Sequence, residues 1–225
     1  VYDSSQVTLT KERFNEYLFA NGYFKSRVTD SVIVNNNLVT VIYRVFPSQP
    51  YMIDSIAYDV GDTTIMRIIN ESNDESLIKT GERFQQDNFT QERERIDLLL
   101  KDEGYYDFSR QYIEFATDTT YKSPERKIAV LISINDPAKR GYHKQFRIDS
   151  ITFTTDVGTN IPNTRRKTRR YRDIQYKYYV DKYNLKVLSQ RVFLRPEELY
   201  SRSKTLNTQR QLGYMEAFKF ININY

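Results

Sequence analysis

Two short patterns recur along this chain in the same order, and their register limits the folds open to it. The first is Gly22-Tyr23-Phe24, then Gly104-Tyr105-Tyr106, then Gly213-Tyr214-Met215. The second is Tyr51-Met52-Ile53-Asp54-Ser55-Ile56-Ala57-Tyr58, then Phe146-Arg147-Ile148-Asp149-Ser150-Ile151-Thr152-Phe153. Ile-Asp-Ser-Ile is identical in both copies, bracketed by aromatics. A chain built this way reads as a tandem of small units, not one large domain.

Each Gly-Tyr pair follows a helical stretch. Thr10 is placed to cap a helix with Phe14, Tyr17 and Leu18 on one face, and Thr90 a second with Ile96, Leu99 and Leu100 inward. A third helix follows Ser203, carrying Leu206, Gln209 and Leu212. Glycine ends each one, because left-handed backbone is cheap only for glycine. After the glycine the period changes to two. Val39, Val41, Tyr43 and Val45 line one strand face, and Ile128, Val130, Ile132 and Ile134 another, while Tyr112, Glu114 and Ala116 alternate with Ile113 and Phe115. Asn35-Asn36-Asn37 suits a hairpin turn, since asparagine tolerates left-handed geometry. Asp62-Thr63 starts a short helix with Ile65, Ile68 and Ile69 on one face, and a loop with Thr80-Gly81 leads to the next.

The middle unit therefore reads strand, helix, helix, strand, strand. The first unit shows only its last helix and hairpin. The third opens at Phe146 and is expected to end in a strand of Phe218, Phe220, Ile221 and Ile223, its final strand lying past Tyr225. Ile53 and Gly104 are 51 positions apart, whereas Ile148 and Gly213 are 65 apart. The third unit thus has room for an extra hairpin or loop, covering the basic stretch and the aromatic segment Tyr171 to Tyr183. The domains are read as 1–47, a partial unit; 48–138, a complete one; and 144–225, an enlarged one lacking its last strand. Ser48-Gln49-Pro50 and Asp136 to Lys144 are the short linkers.

This order and recurrence resembles the POTRA domain, whose tandem arrays precede the membrane barrel of Omp85-family proteins, the BamA and TamA types among them. The resemblance implies an α+β fold: tandem POTRA modules of β-α-α-β-β order, each a three-stranded mixed sheet packed on two helices. Leu194-Arg195-Pro196-Glu197-Glu198-Leu199 looks like the first helix of the module nearest the barrel. The resemblance further implies a non-enzymatic module on the periplasmic side of the Gram-negative outer membrane, continuous with a C-terminal barrel outside this chain. Its partners would be unfolded outer-membrane proteins and accessory periplasmic or lipoprotein subunits. An edge strand has unpaired N–H and C=O groups, which accept an added strand with little sequence demand. The candidate edges are Arg110, Gln111, Tyr112, Ile113, Glu114 and Phe115; Lys25 to Val28; and Ala217, Phe218, Lys219 and Phe220. A structural spacer array is the alternative.

Charge adds one more candidate. The chain carries +5, yet Arg165, Arg166, Lys167, Arg169, Arg170 and Arg172 fall within eight residues that hold no acid, and the rest is nearly neutral. This basic insert reads as a solvated loop, a contact for anionic lipid or an acidic partner surface, or a nucleic-acid binder; no nucleic acid is expected. There is no cysteine, which excludes disulfides and thiolate metal sites. His143, the single histidine, sits in a polar linker and reads as solvated. No nucleophile elbow, phosphate loop or dinucleotide fingerprint occurs, and Asn70 to Glu75 lacks calcium-loop spacing. No enzyme, cofactor or metal is expected. No run of 18 apolar residues is present. The start at Val1 has no signal pattern, and the chain reads as an internal piece of a longer protein.

Overall fold

The structure is a computed structural model describing residues 2–122, 125–158 and 164–225. The chain divides into two compact units: Val1–Arg95 with Arg110–Asp136, and Ile96–Ser109 with Pro137–Tyr225. Among the described residues no helix is long and apolar enough to cross a membrane.

The first unit opens with helix α1 (Ser4–Ala20), capped by the Asp3 carboxylate, which accepts from the Ser5 N–H. Thr10, expected as the cap, lies inside the helix and bonds the Gln6 carbonyl. A threonine can satisfy its hydroxyl that way, so its presence does not mark a start. Strands β1 (Arg27–Asn35) and β2 (Leu38–Phe46) form an antiparallel hairpin. Asn36 and Asn37 turn it with φ of 45° and 62°, the geometry a two-residue hairpin turn needs. Phe14 meets Tyr43 edge-on at 5.5 Å, and Lys11 pairs with Asp30 at 2.8 Å, which ties α1 to the hairpin.

Strand β3 (Met52–Val60) and helix α2 (Thr63–Glu71) follow. Asp62 caps α2 as expected, and Ile65, Ile68 and Ile69 are buried. Helix α3 (Gln86–Asp102) contains Thr90 internally, bonded back to the Gln86 carbonyl. Strands β4 (Ile113–Asp118) and β5 (Lys127–Ile134) complete a sheet ordered β3-β5-β4. β5 is central, parallel to β3 and antiparallel to β4. Its Ile128, Val130, Ile132 and Ile134 are buried, so the period-two reading gives the core face correctly.

The second unit holds β6 (Ile151–Thr154), β7 (Lys167–Tyr171), β8 (Ile174–Tyr178), α4 (Leu185–Arg191) and α5 (Arg202–Gly213). Its sheet order is β6-β8-β7, with β8 central, parallel to β6 and antiparallel to β7. This is the order of the β3-β5-β4 sheet reached by a different route, because the hairpin precedes both helices. Of the extra hairpin or loop expected here, the hairpin forms: Lys167, Arg169 and Arg170 lie on its first strand and Arg172 in its turn, with Arg165 and Arg166 just ahead. Ile174, Tyr176 and Tyr178 bury one face of the hairpin in a core with Ile148, Leu185, Leu188, Val192, Leu194 and Leu212, and that burial orders it.

Further expectations are corrected here. Leu194 to Leu199 is not helical; the first helix is α4. The Glu197 N–H bonds the Ile148 carbonyl, and the Ile148 N–H bonds the Glu198 carbonyl. Backbone pairing with the opening segment displaces helix there. Residues 214–225 contain no strand. Phe218, Ile221 and Ile223 instead pack against the core, and the Ala217 and Ile221 carbonyls accept from Tyr183 and Gln209 side chains. α5 begins at Arg202, just ahead of Ser203, with Ser201 as its cap, and Gly213 is its last helical residue instead of a left-handed stop.

Candidate functional sites: sheet edges and glycine joints

Gly22 and Gly104 do more than end helices. Gly22 has φ of +83°. Its carbonyl accepts from the Tyr51 N–H at 2.9 Å, and the Tyr51 carbonyl accepts from the Phe84 N–H at 3.0 Å. A Cβ on Gly22 would lie 2.9 Å from the Phe84 oxygen. In the second unit Gly104, with φ of +95°, accepts from Phe146 at 2.8 Å, and Phe146 accepts from Tyr200 at 2.9 Å. A Cβ there would approach Leu199 to 3.0 Å. The same three-part backbone chain thus occurs twice. It joins the Gly-Tyr turn to the segment that opens the next repeat and to the loop before that repeat's second helix.

Side chains reinforce each joint differently. At the first, Arg83 donates to the Tyr23 hydroxyl at 3.1 Å and lies over its ring, while Phe24 packs on Tyr51 and Phe84. At the second, Asp102 accepts from the Ser201 hydroxyl and from both the N–H and hydroxyl of Ser203, at 2.6–2.8 Å. Tyr106 meets Phe146, Tyr200 and Tyr225. His143, expected to be solvated, is buried at 5% exposure against Phe108 and Tyr105. Its polar sequence neighbours conceal that these rings, about forty residues earlier in the chain, cover it.

The first candidate edge lies on β4. Arg110, Gln111 and Tyr112 form a 3-10 turn, so the strand begins only at Ile113 and runs on to Asp118. Glu94, on α3, holds Arg110 at 2.8 Å, and the Asn135 N–H bonds the Tyr112 carbonyl. Ile113 is buried, Phe115 is half-buried, and Glu114, Ala116, Thr117 and Asp118 are exposed. Arg93 donates to the Ile113 carbonyl at 3.2 Å and stacks over Phe115. That carbonyl therefore faces away from β5, and by strand alternation the main-chain groups of Phe115 and Thr117 face the same way. Thr117 and Asp118 were not picked out in the sequence. The signal for them is the Asp118 side chain accepting from the Thr120 N–H, an Asx turn that sets the strand's end.

The other two edges fare differently. Lys25 and Ser26 precede β1, and Ser26 accepts from the Ser48 N–H to tie the base of the hairpin; Arg27 and Val28 begin the strand. Phe218, Lys219 and Phe220 lie outside any strand, with Phe220 85% exposed.

The basic insert spreads over an approach, a strand and a turn. Arg165 is exposed, whereas Arg166 is half-buried. Arg166 donates to Asp156 at 2.7 Å and stacks on Tyr179 at 4.6 Å. Burial would raise the Asp156 carboxyl, but hydrogen bonds from Arg166 and the Tyr179 N–H outweigh it and hold the group below the ordinary range. Lys167, Arg169 and Arg170 lie on β7, the sheet's outer strand, and Arg172 makes the turn at φ 52° over the Tyr171 ring. Arg169 comes within 3.8 Å of Asp181.

The fold and these edges define a class: tandem α+β modules, two of which have an opening strand parallel to the inner strand of a hairpin whose outer strand is paired on one side only among the described residues. Solved structures it is similar to include POTRA modules. Modules 3–5 of BamA from Haemophilus influenzae match over 99% of this chain and 74% of that one, at 12% identity and a TM-score of 0.46. BamA from Haemophilus ducreyi lacking POTRA domains 1–3 matches over 65% of this chain and 24% of that one, at 14% identity and 0.36. POTRA1–3 of Omp85 from Anabaena matches over 97% and 74%, at 12% and 0.30. No protein-family model and no curated protein matches the chain.

Proposed function

We propose that this chain is a periplasmic, non-enzymatic protein-binding segment of an outer-membrane barrel-assembly factor of the Omp85 type. In this reading it receives unfolded barrel proteins and accessory subunits by strand addition. The observation that carries it is the outer edge of β4: a strand paired on one side only among the described residues, with a half-buried Phe115 and exposed neighbours, on a three-stranded sheet. Main-chain pairing there is indifferent to most side chains, which suits a receptor for many sequences. Arg93 already occupies the Ile113 carbonyl, so in this reading an added strand pairs from Phe115 to Asp118. In-cell photo-crosslinking from Thr117 in the full-length protein tests this. Crosslinks to unfolded outer-membrane proteins or an accessory subunit are expected; their absence from a folded, active protein would refute the proposal for this edge.

A spacer role is the second reading, supported by the twice-repeated glycine joint. It predicts that flexible residues inserted at Ser48-Gln49 abolish assembly while β4-edge substitutions leave it intact.

A further inference from the structure

The β7 edge differs in kind from the β4 edge. On the face shared with the core, β4 presents Ile113 and Phe115 opposite Ile134 and Ile132. On the corresponding face β7 presents Lys167 and Arg169 opposite Tyr178 and Tyr176, because residues directly paired across an antiparallel ladder share a face. Arg170, opposite Gln175, projects from the other face. Among the described residues β7 pairs with β8 alone, which leaves its outer main-chain groups without a strand partner there.

This charge is largely uncompensated. Asp156 engages Arg166, and Asp181 approaches Arg169 to 3.8 Å. Arg165, Lys167, Arg170 and Arg172 have no ion pair among the described residues. One or two edge lysines serve to block pairing, but a block does not require cations on both faces and again in the turn.

We propose that the β7 edge takes an acidic, extended polypeptide by strand addition, its carboxylates alternating to meet Lys167 and Arg169 on one face and Arg170 on the other. This rests on the strand-addition reading and adds a second edge of opposite preference. The placement of charge favours a strand over a lipid surface. A flat anionic surface meets cations on one side of a sheet, whereas an added strand carries side chains to both. The β4 edge, with exposed Glu114 and Asp118, repels such a strand.

The test uses the whole chain and short fluorescent peptides: a Glu-rich strand former, its Gln counterpart, and a neutral Val/Thr strand former. Binding is read by anisotropy, and main-chain pairing by amide exchange. The acidic probe is expected to bind at low salt, weaken as salt rises, and slow exchange at 167–171. The Gln probe should bind about tenfold more weakly, and the K167E/R169E variant should lose a similar factor. R170E, altering the other face alone, should also weaken binding. Three results would overturn the proposal: no binding of the acidic probe, binding without slowed exchange at 167–171, or capture of phosphatidylglycerol vesicles with no peptide binding. If the neutral probe slows exchange at 113–118 while β7 stays unprotected, only this inference falls. If neither edge gains protection, strand addition falls with it.

Discussion

Replacing Gly22 by alanine separates two demands that a glycine can meet. Gly22 and Gly81 have nearly the same backbone angle, φ of +83° and +84°. A Cβ at Gly81 meets nothing within 4 Å, while one at Gly22 lies 2.9 Å from the Phe84 oxygen and 3.3 Å from its Cβ. Gly81→Ala therefore costs only the left-handed conformation, about 1–2 kcal/mol. Gly22→Ala costs that and must also push Phe84 away. Moving Phe84 strains its N–H bond to the Tyr51 carbonyl, worth about 1 kcal/mol. It also disturbs the Phe24–Phe84–Phe89 ring contacts at 4.9–5.2 Å, worth about 1 kcal/mol more. Gly22→Ala should thus exceed Gly81→Ala by about 2 kcal/mol. The chain has no tryptophan and 19 tyrosines, so urea unfolding is best followed by circular dichroism and tyrosine fluorescence. Equal losses at the two sites would show that the backbone angle alone requires glycine, and the joint would lose its physical basis.

Other perturbations probe buried polar groups. Glu92 is fully buried and accepts from Ser76, the Leu77 N–H and two Arg95 nitrogens. Glu92→Ala strands these donors and should cost about 3–5 kcal/mol in denaturant unfolding, with Glu92→Gln costing less. Tyr176 is fully buried, and its hydroxyl has no partner among the described residues; burial pushes its pKa up to about 12. The unfolded phenol ionises first, so stability falls as pH rises from about 10 towards 12, and Tyr176→Phe should remove that slope and add about 1 kcal/mol at neutral pH. Asp156 is depressed instead, so its contribution is present above the ordinary carboxylate range and is lost as pH drops below about 4. Thermal unfolding across that window should flatten in Asp156→Asn.

Much of the local structure was legible because its causes are local. Asp62 caps α2 through two adjacent N–H groups, and Asn36-Asn37 turns a hairpin on its own dihedral preferences. The buried row on β5 follows from alternation alone. What failed did so for identifiable reasons. Thr10 and Thr90 resemble caps, but each hydroxyl finds a carbonyl four residues back. Arg110 to Tyr112 alternates like a strand, yet it closes into a 3-10 turn ahead of β4, with Arg110 reaching back to Glu94 on α3. His143 looked solvated because the rings that bury it are remote in sequence.

By itself, the sequence determined the repeat: two Ile-Asp-Ser-Ile segments, the left-handed Gly22 and Gly104 turns, and most of the helices and strands between them, set by period and turn chemistry. Tertiary structure alone decided which hairpin joins which opening strand. Lys167 to Tyr178 lies beside β6, while Phe218 to Ile223 packs on the core without pairing. Both segments can form strands. The choice between them turns on buried area and on ladder hydrogen bonds between residues far apart in the chain, which no local propensity carries. That same choice puts Lys167, Arg169 and Arg170 of the six-cation cluster on the border of a sheet.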